Sequence, residues 1–151
     1  MVSVDQIKNL RAETGAGVMD VKKALEDSGG DLEKAKRLLK ERGVAKAAKK
    51  SDREASEGLV AAYIHTTGKI GALVEVFCET DFVARTKDFQ NLAHELALQV
   101  TATDPKDVDE LLAQEYIREP AKTVQDIINE VIAKVGENIR IGRIVRFSTR
   151  E

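Results

Sequence analysis

Residues 59–78 read LVAAYIHTTGKIGALVEVFC, and this stretch decides the fold because two apolar runs flank a short polar connection. The runs cover residues 59–65 and 70–78, and both are rich in the β-branched and aromatic residues that favour strands. The four residues 66–69 between them include Gly68, which is typical of a hairpin connection. We therefore expect two antiparallel strands that pair with each other.

Both faces of the first predicted strand are apolar. Alternate positions place one apolar set on each face, namely Leu59, Ala61 and Tyr63 against Val60, Ala62 and Ile64. A small sheet has two faces to cover, and helices of the same chain are expected to cover only one. The sequence therefore predicts that the second face meets another chain.

Residues after the hairpin predict helices and a third strand. A long helix is expected to end before residues 104–105, with a short helix around 107–113 and a further helix from Thr123 to Gly136. The last strand covers 138–147, where Ile139, Ile141, Val145 and Phe147 alternate with Arg140 and Arg146. The order β-β-α-α-β predicts an α+β body, a three-stranded antiparallel sheet with helices on one face.

The residues before the hairpin predict a small three-helix head. Ser3 and Gln6 form a capping box for the first helix, and residues 14–17 break the chain before the second. Asp31 caps the third helix, which is expected to end at Gly43. Fewer than 45 residues with modest apolar side chains form a marginal core, so this head is more suited to docking than to catalysis.

The charge divides along the chain, which supports two modules. Residues 1–53 carry 13 Lys+Arg and 9 Asp+Glu, whereas residues 54–151 carry 11 and 17. We assign 1–45 to the head, 46–55 to a solvated, partly helical linker and 56–151 to the body. The basic run 46–50 lacks interleaved aromatic residues, so direct nucleic-acid binding is not expected, and salt-dependent binding would argue otherwise.

The chain shows no convincing catalytic or metal-binding motif. Its single cysteine, Cys78, cannot form an internal disulfide, and two histidines are too few for a structural zinc site. Residues 15–17 lack the third glycine of a dinucleotide fingerprint and follow a helix. No apolar run approaches the roughly 18 residues of a membrane span and no leader is visible, so we expect a cytoplasmic, non-enzymatic protein without a cofactor.

Residues 78–84, CETDFVA, are unusual because apolar side chains follow an acidic stretch where a strand turns into a helix. Phe82 either folds back into the core or projects as an apolar wedge beside a carboxylate. A projecting wedge would suit a protein that prises open a partner and competes for its metal or water ligands. Spacing alone leaves both alternatives open.

Four segments closely resemble the elongation factor Ts family. They are TGAGVMDVKKAL at 14–25, KAAKK at 46–50, ETDFVA at 79–84 and IAKVGENI at 132–139. The resemblance touches both modules. It implies a ubiquitin-associated-like three-helix head on an α+β core, and guanine-nucleotide exchange on elongation factor Tu, in its GDP-bound and nucleotide-free states.

The resemblance also implies two sets of partner-binding residues. Leu10, Arg11, Val18 and Met19 match head positions that dock on the GTPase, with Val18 replacing a methionine common in the family. Thr80, Asp81, Phe82 and Val83 match the segment that intrudes near the magnesium site of the GTPase, with Phe82 as the wedge.

The chain departs from the family in length. Longer members carry a duplicated core or a helical insertion where only residues 104–122 stand here. This shortness resembles that of members that pair through their sheets, so we expect a homodimer that binds two GTPase copies. The main alternative is a helical adaptor or chaperone-like binding module in which Phe82 is buried.

Overall fold

The computed structural model describes residues 1–150, and its first three helices form the predicted head. They are α1 (Val4–Thr14), α2 (Val18–Asp27) and α3 (Leu32–Lys50). The Ser3 capping box is present, and the Asp31 carboxylate accepts a hydrogen bond from the Lys34 amide at the start of α3. The head buries its own small core, formed by Leu10, Val21, Ala24, Leu25 and Ala35.

Helix α3 does not end at Gly43, so that prediction is wrong. The helix continues through Gly43 to Lys50, because the alanines and lysines that follow are strong helix formers and no breaker intervenes until Ser51. Ala47 is buried and belongs to the core of the body. The helix therefore carries the chain from the head onto the body.

The body contains the predicted three-stranded antiparallel sheet, in the order β1-β2-β5, with helices on one face. This confirms the α+β fold class. Its elements are β1 (Glu57–Ile64), β2 (Ile70–Cys78), α4 (Asp81–Ala84), α5 (Lys87–Thr103), α6 (Val108–Ala113), β3 (Glu115–Tyr116), β4 (Glu119–Thr123), α7 (Val124–Val135) and β5 (Ile139–Ser148).

A two-stranded hairpin, β3–β4, was not expected from the sequence. The buried Gln99 of α5 holds it in place: its amide nitrogen donates to the Glu115 carbonyl at 3.0 Å, and its amide oxygen accepts from the Ile117 N–H at 3.1 Å. Strands this short carry little alternating pattern, so a side chain distant in sequence stabilises them instead.

A register shift in the sheet changes the face to which the end of β5 belongs. Val74 lies opposite Ile144 but Val76 lies opposite Ile141, so β5 contains an extra residue. Ile139 and Ile141 therefore pack toward the helices, whereas Val145 is 40% exposed on the other face. The predicted simple alternation from Ile139 to Phe147 is wrong for this reason.

Glu75 and Arg143 stabilise the bulge. The Arg143 N–H and Nε both donate to Glu75 Oε1, at 2.8 and 2.7 Å, and Nη2 donates to Oε2 at 2.9 Å. These hydrogen bonds lower the pKa of Glu75 to about 2. A Cβ on Gly142 would lie 2.4 Å from the Phe77 ring, so the bulge also requires a residue without a side chain there.

Candidate partner-binding site

The segment after β2 folds into a single helical turn, α4, that is fixed at both ends by threonines. The Thr80 hydroxyl oxygen accepts a hydrogen bond from the Val83 N–H at 3.3 Å and so caps α4. The Thr86 hydroxyl donates to the Val83 carbonyl at 2.7 Å and accepts from the Phe89 N–H at the start of α5. Residues 80–86 are thus two consecutive helix starts with little freedom between them.

Phe82 projects from this turn into solvent. Its side chain is 82% exposed, whereas Val83 and Ala84 are each 5% exposed and belong to the core of the body. Of the two placements that the sequence left open, the structure has the projecting one. The two buried neighbours anchor the turn, so the aromatic ring is held outward on a rigid base.

Asp81 places a carboxylate beside the exposed ring. Its carboxylate lies 2.7 Å from Arg85 Nη2, and both side chains are more than half exposed. An ion pair this exposed contributes little to stability, so its charges are available to groups on another molecule. The exposed surface of α4 therefore combines an aromatic ring, a carboxylate and a guanidinium.

Two glutamates connect the start of the turn with the segment that follows α7. Glu137 Oε1 accepts hydrogen bonds from the Glu79 and Thr80 amides at 3.1 and 3.0 Å, and Oε2 accepts from the Thr80 hydroxyl at 2.7 Å. Glu79 Oε1 accepts in turn from the Asn138 N–H at 2.7 Å. The segments on either side of this pairing, 79–80 and 137–138, are joined by four hydrogen bonds.

The sequence pattern ends a helix at Gly136 and begins a strand at 138, and it did not predict this role of Glu137 and Asn138. The signal was their position directly after Gly136, whose left-handed φ of 77° ends α7 and turns the chain toward residue 79. Asn138 Nδ2 also donates to the Arg53 carbonyl at 2.9 Å. The end of α7 therefore contacts both the candidate site and the segment that follows α3.

Cys78 lies next to this site but is not suited to nucleophilic chemistry. It is fully buried, and its thiol donates to the Thr80 carbonyl at 3.1 Å. Burial, followed by the nearby Glu137 carboxylate, raises the pKa of Cys78 to about 11. The thiol is therefore neutral near pH 7 and serves as a structural contact.

The head residues proposed as contacts divide into two groups. Val18 and Met19 are 44% and 71% exposed at the start of α2, and Arg11 is exposed on α1. Leu10 is only 1% exposed and lies in the head core. Leu10 is therefore not part of the exposed surface. The exposed residues of the set are Arg11, Val18 and Met19, which we call the head patch.

A groove of about 460 Å³ lies between the head and the face formed by β4 and α7, and none of the candidate residues lines it. Its walls carry ion pairs, such as Lys40 with Asp126 at 3.4 Å and Lys122 with Glu130 at 2.7 Å. The Lys40–Asp126 pair joins helix α3 of the head to helix α7 of the body across the groove. The groove is therefore the junction of the two modules.

Residues 1–150 contain no cluster of three or more His, Cys, Asp or Glu side chains that could hold a metal ion. No helix in this part of the chain combines the length and the apolar character that a membrane crossing requires. The exposed candidate groups are the aromatic ring of Phe82 and the side chains of Arg11, Val18 and Met19 on the head. The fold and the site thus define a protein built to contact another macromolecule.

Comparison with known proteins identifies the family. A family model described as elongation factor TS matches residues 79–151. Proteins named elongation factor Ts from Thermoanaerobacter sp. (strain X514) and Leptospira biflexa are 45% and 44% identical, over 100% and 97% of this chain and 96% of each relative. The chain belongs to the elongation factor Ts family, and its role is that of a translation elongation factor.

The same comparison shows how compact this member is. The alignment with the Thermoanaerobacter relative extends over 196 positions, against the 151 residues of this chain. The elongation factor Ts of Aquifex aeolicus is longer still: it is 46% identical, and the match covers 99% of this chain but 53% of the relative. The chain therefore carries both candidate sites on a shortened frame.

Proposed function

We propose that this protein is a guanine-nucleotide exchange factor for elongation factor Tu. The observation that carries the proposal is the 82% exposed Phe82 on a turn anchored by buried neighbours. Membership of the elongation factor Ts family and the Asp81 carboxylate beside the ring support it. The protein acts as a binding partner in the cytoplasm and performs no covalent chemistry.

Magnitudes show that the wedge must act indirectly. A nucleotide bound at nanomolar affinity is held by about 12 kcal/mol, whereas burying one Phe side chain contributes about 1.5–3 kcal/mol. Accelerating release by roughly 10⁴ requires about 5.5 kcal/mol of preference for the loosened state. Displacing the Mg²⁺ of the GTPase would supply such a lever, because a divalent cation beside phosphate groups is often the largest local charge in a site.

The exchange follows from linked binding equilibria. If the protein weakens the binding of GDP to elongation factor Tu, GDP weakens the binding of the protein by the same factor. The protein therefore binds both the GDP-bound and the nucleotide-free GTPase, and the complex of all three is transient. The ubiquitin-associated-like head supplies affinity through Arg11, Val18 and Met19, and Leu10 packs in the head core beneath them. The wedge segment Thr80–Val83 weakens the binding of GDP to the GTPase.

The test is release of a fluorescent GDP analogue from elongation factor Tu at fixed magnesium. We expect the parent protein to accelerate release and Phe82→Ala to lose at least tenfold of that acceleration. The matched control is Ile117→Ala, which truncates another exposed apolar side chain, 41% exposed on the β3–β4 turn. Control release equal to that of the parent assigns the loss to the wedge position.

Folding is checked by urea denaturation of each variant. Because Phe82 is exposed, Phe82→Ala is expected to change the free energy of unfolding by no more than about 0.5 kcal/mol. Failure of the folded parent to accelerate GDP release would contradict the proposal and favour the helical adaptor. Binding to nucleic acid that weakens steeply with salt, without acceleration of GDP release, would instead favour a nucleic-acid-binding protein.

We further propose that the protein forms a homodimer through the uncovered face of its sheet. Five large apolar side chains are exposed there: Val60 at 62%, Ile64 at 64%, Leu73 at 44%, Val145 at 40% and Phe147 at 72%. They lie on three adjacent strands and form one surface, which is unusual for a monomer. A dimer of this kind would present two wedges and bind two copies of the GTPase.

A further inference from the structure

The way in which the wedge is held outward points to residues beyond the wedge segment itself. The turn that carries Phe82 has only four residues, so its direction depends on neighbouring segments as well as on the buried Val83 and Ala84. Its first residue is preceded by Thr80, whose amide and hydroxyl both donate to Glu137. The direction of the ring therefore also depends on the Glu137 carboxylate, two residues beyond the end of α7.

We propose that Glu137 is a positioning residue for nucleotide exchange and that it fixes the angle at which Phe82 meets the partner. This inference rests on the proposed exchange function. The Thr80 hydroxyl donates a hydrogen bond to Glu137 Oε2, with 2.7 Å between the two oxygens. The lone pairs of the hydroxyl oxygen are therefore free to accept a hydrogen bond from the Val83 N–H. One carboxylate thus orients the cap, and the cap orients the helical turn.

The same residues connect the wedge to the head. Asn138 donates its backbone N–H to Glu79 and its side-chain amide to the Arg53 carbonyl, at 2.7 and 2.9 Å. Arg53 follows α3, the helix that begins in the head. Hydrogen bonds of Asn138 therefore connect the segment that follows α3 with the segment that precedes the wedge.

Substitutions at Glu137 test the proposal in this protein with elongation factor Tu and a fluorescent GDP analogue. Glu137→Ala removes all three acceptor contacts and is expected to lower the release rate at saturating protein about tenfold. The half-saturating protein concentration should change less than about threefold, because the head patch is intact. Glu137→Gln keeps an acceptor for the two amides but cannot accept a hydrogen bond from the Thr80 hydroxyl, so its release rate should lie between those of Glu137→Ala and the parent.

The control variant is Asp88→Ala, which removes an exposed ion pair between Asp88 of α5 and Lys134 of α7 and should match the parent. A double variant separates positioning from loss of fold. If Glu137 acts through Phe82, Glu137→Ala should cause no further loss in a Phe82→Ala background. Independent, additive losses, or a parent-like Glu137→Ala variant, would overturn the proposal.

A second measurement does not depend on exchange activity. Hydrogen exchange of the Glu79 and Thr80 amides should be slow in the parent, at least tenfold faster in Glu137→Ala, and unchanged in Asp88→Ala. If the parent does not accelerate GDP release from elongation factor Tu but these amides respond in this way, the proposed exchange function is wrong and the structural role of Glu137 stands. Amides indifferent to Glu137→Ala would refute the positioning role directly.

Discussion

Phe82 and Val83 are adjacent in the sequence and lie in opposite environments. The 5% exposed valine fills the core of the body, and the phenylalanine is left in solvent. Exposing an aromatic ring forgoes about 1.5–3 kcal/mol of burial, which natural sequences accept mainly where the ring has another use. At the scale of single residues, this pairing is the feature that favours a protein-binding function.

Sequence alone could not settle that pairing. Period-based reasoning needs several turns of helix or several residues of strand, and the turn at residues 81–84 offers one turn. The bracing role of Glu137 was further from reach, because its partners Glu79 and Thr80 lie 58 and 57 residues away. The motif at 79–84 could be recognised, but the direction of its side chains required the fold.

Cys78 gives a prediction on pH dependence at the same scale. Burial raises the pKa of its thiol from about 9 to about 11, so between these values the unfolded chain loses a proton that the folded chain keeps. Stability should be unaffected by this group below pH 9 and should fall as the pH rises from 9 to 11, by on the order of 2 kcal/mol.

Urea denaturation across this pH range measures the effect. A Cys78→Ala variant serves as the control, because it retains every other titrating group and lacks the thiol. Its stability should decline less steeply above pH 9 than that of the parent, even though the variant is less stable overall. Parallel pH profiles for the two proteins would show that Cys78 does not titrate as expected.

Among the elements, helix α3 shows where local sequence signals succeed and where they fail. Asp31 and the Ser3 capping box were predicted correctly, because a cap is a local hydrogen bond between residues three apart. Gly43 was misread as a helix end, because a glycine can end a helix or lie within one. The strong helix formers after it, and burial of Ala47 against the body, decide the outcome.

Contacts between distant residues also limited what the sequence could predict for β5 and for the β3–β4 hairpin. The alternation of Ile139 with Arg140 predicts a strand correctly, but a bulge shifts the register within it and reverses the faces beyond. The hairpin depends on the buried amide of Gln99, a contact between distant residues. Element type followed from local pattern, whereas register and minor strands followed from tertiary contacts.

Gly43 provides a prediction at the scale of an element. A Cβ at this position would meet nothing within 4 Å, and the residue lies inside a helix. Gly43→Ala should therefore raise the free energy of unfolding by about 0.5–1 kcal/mol through backbone entropy and helix propensity. The measurement is the urea midpoint at constant m-value.

Gly15 is the matched control, because a Cβ there also meets nothing within 4 Å but the backbone is left-handed, with φ of 70°. Gly15→Ala should lower stability by about 1–2 kcal/mol. The opposite signs of the two substitutions isolate backbone conformation from packing. A loss of stability in Gly43→Ala would show that α3 requires flexibility at this point.

For the whole molecule, the arrangement of modules places both candidate contacts on one frame. Helix α3 packs along α7, and Lys40 of α3 pairs with Asp126, the residue that completes the capping box of α7. Helix α7 then ends at the residues that brace the wedge. The exposed face of the sheet lies on the opposite side from these helices, so pairing through the sheet would leave the wedge and the head accessible.

The proposed homodimer gives a prediction at this scale. Leu73 lies on the central strand of the sheet and is 44% exposed, so a two-fold interface on this face would place it near the middle. Leu73→Asp would then bury a carboxylate from each protomer without a partner, and dimerisation should weaken by at least a hundredfold. Sedimentation at micromolar concentration should give twice the 16.6 kDa protomer mass for the parent and the protomer mass for the variant.

The control is Ile117→Asp, which introduces the same charge at an exposed apolar side chain on the β3–β4 turn, outside the sheet face. It should sediment as the parent does. Because exchange is proposed to depend on the wedge and the head, a monomeric Leu73→Asp protein should still accelerate GDP release from elongation factor Tu. The acceleration per protomer should be close to that of the parent. A parent that sediments as a protomer at micromolar concentration would contradict the dimer and leave the exchange proposal intact, since the two proposals rest on different residues.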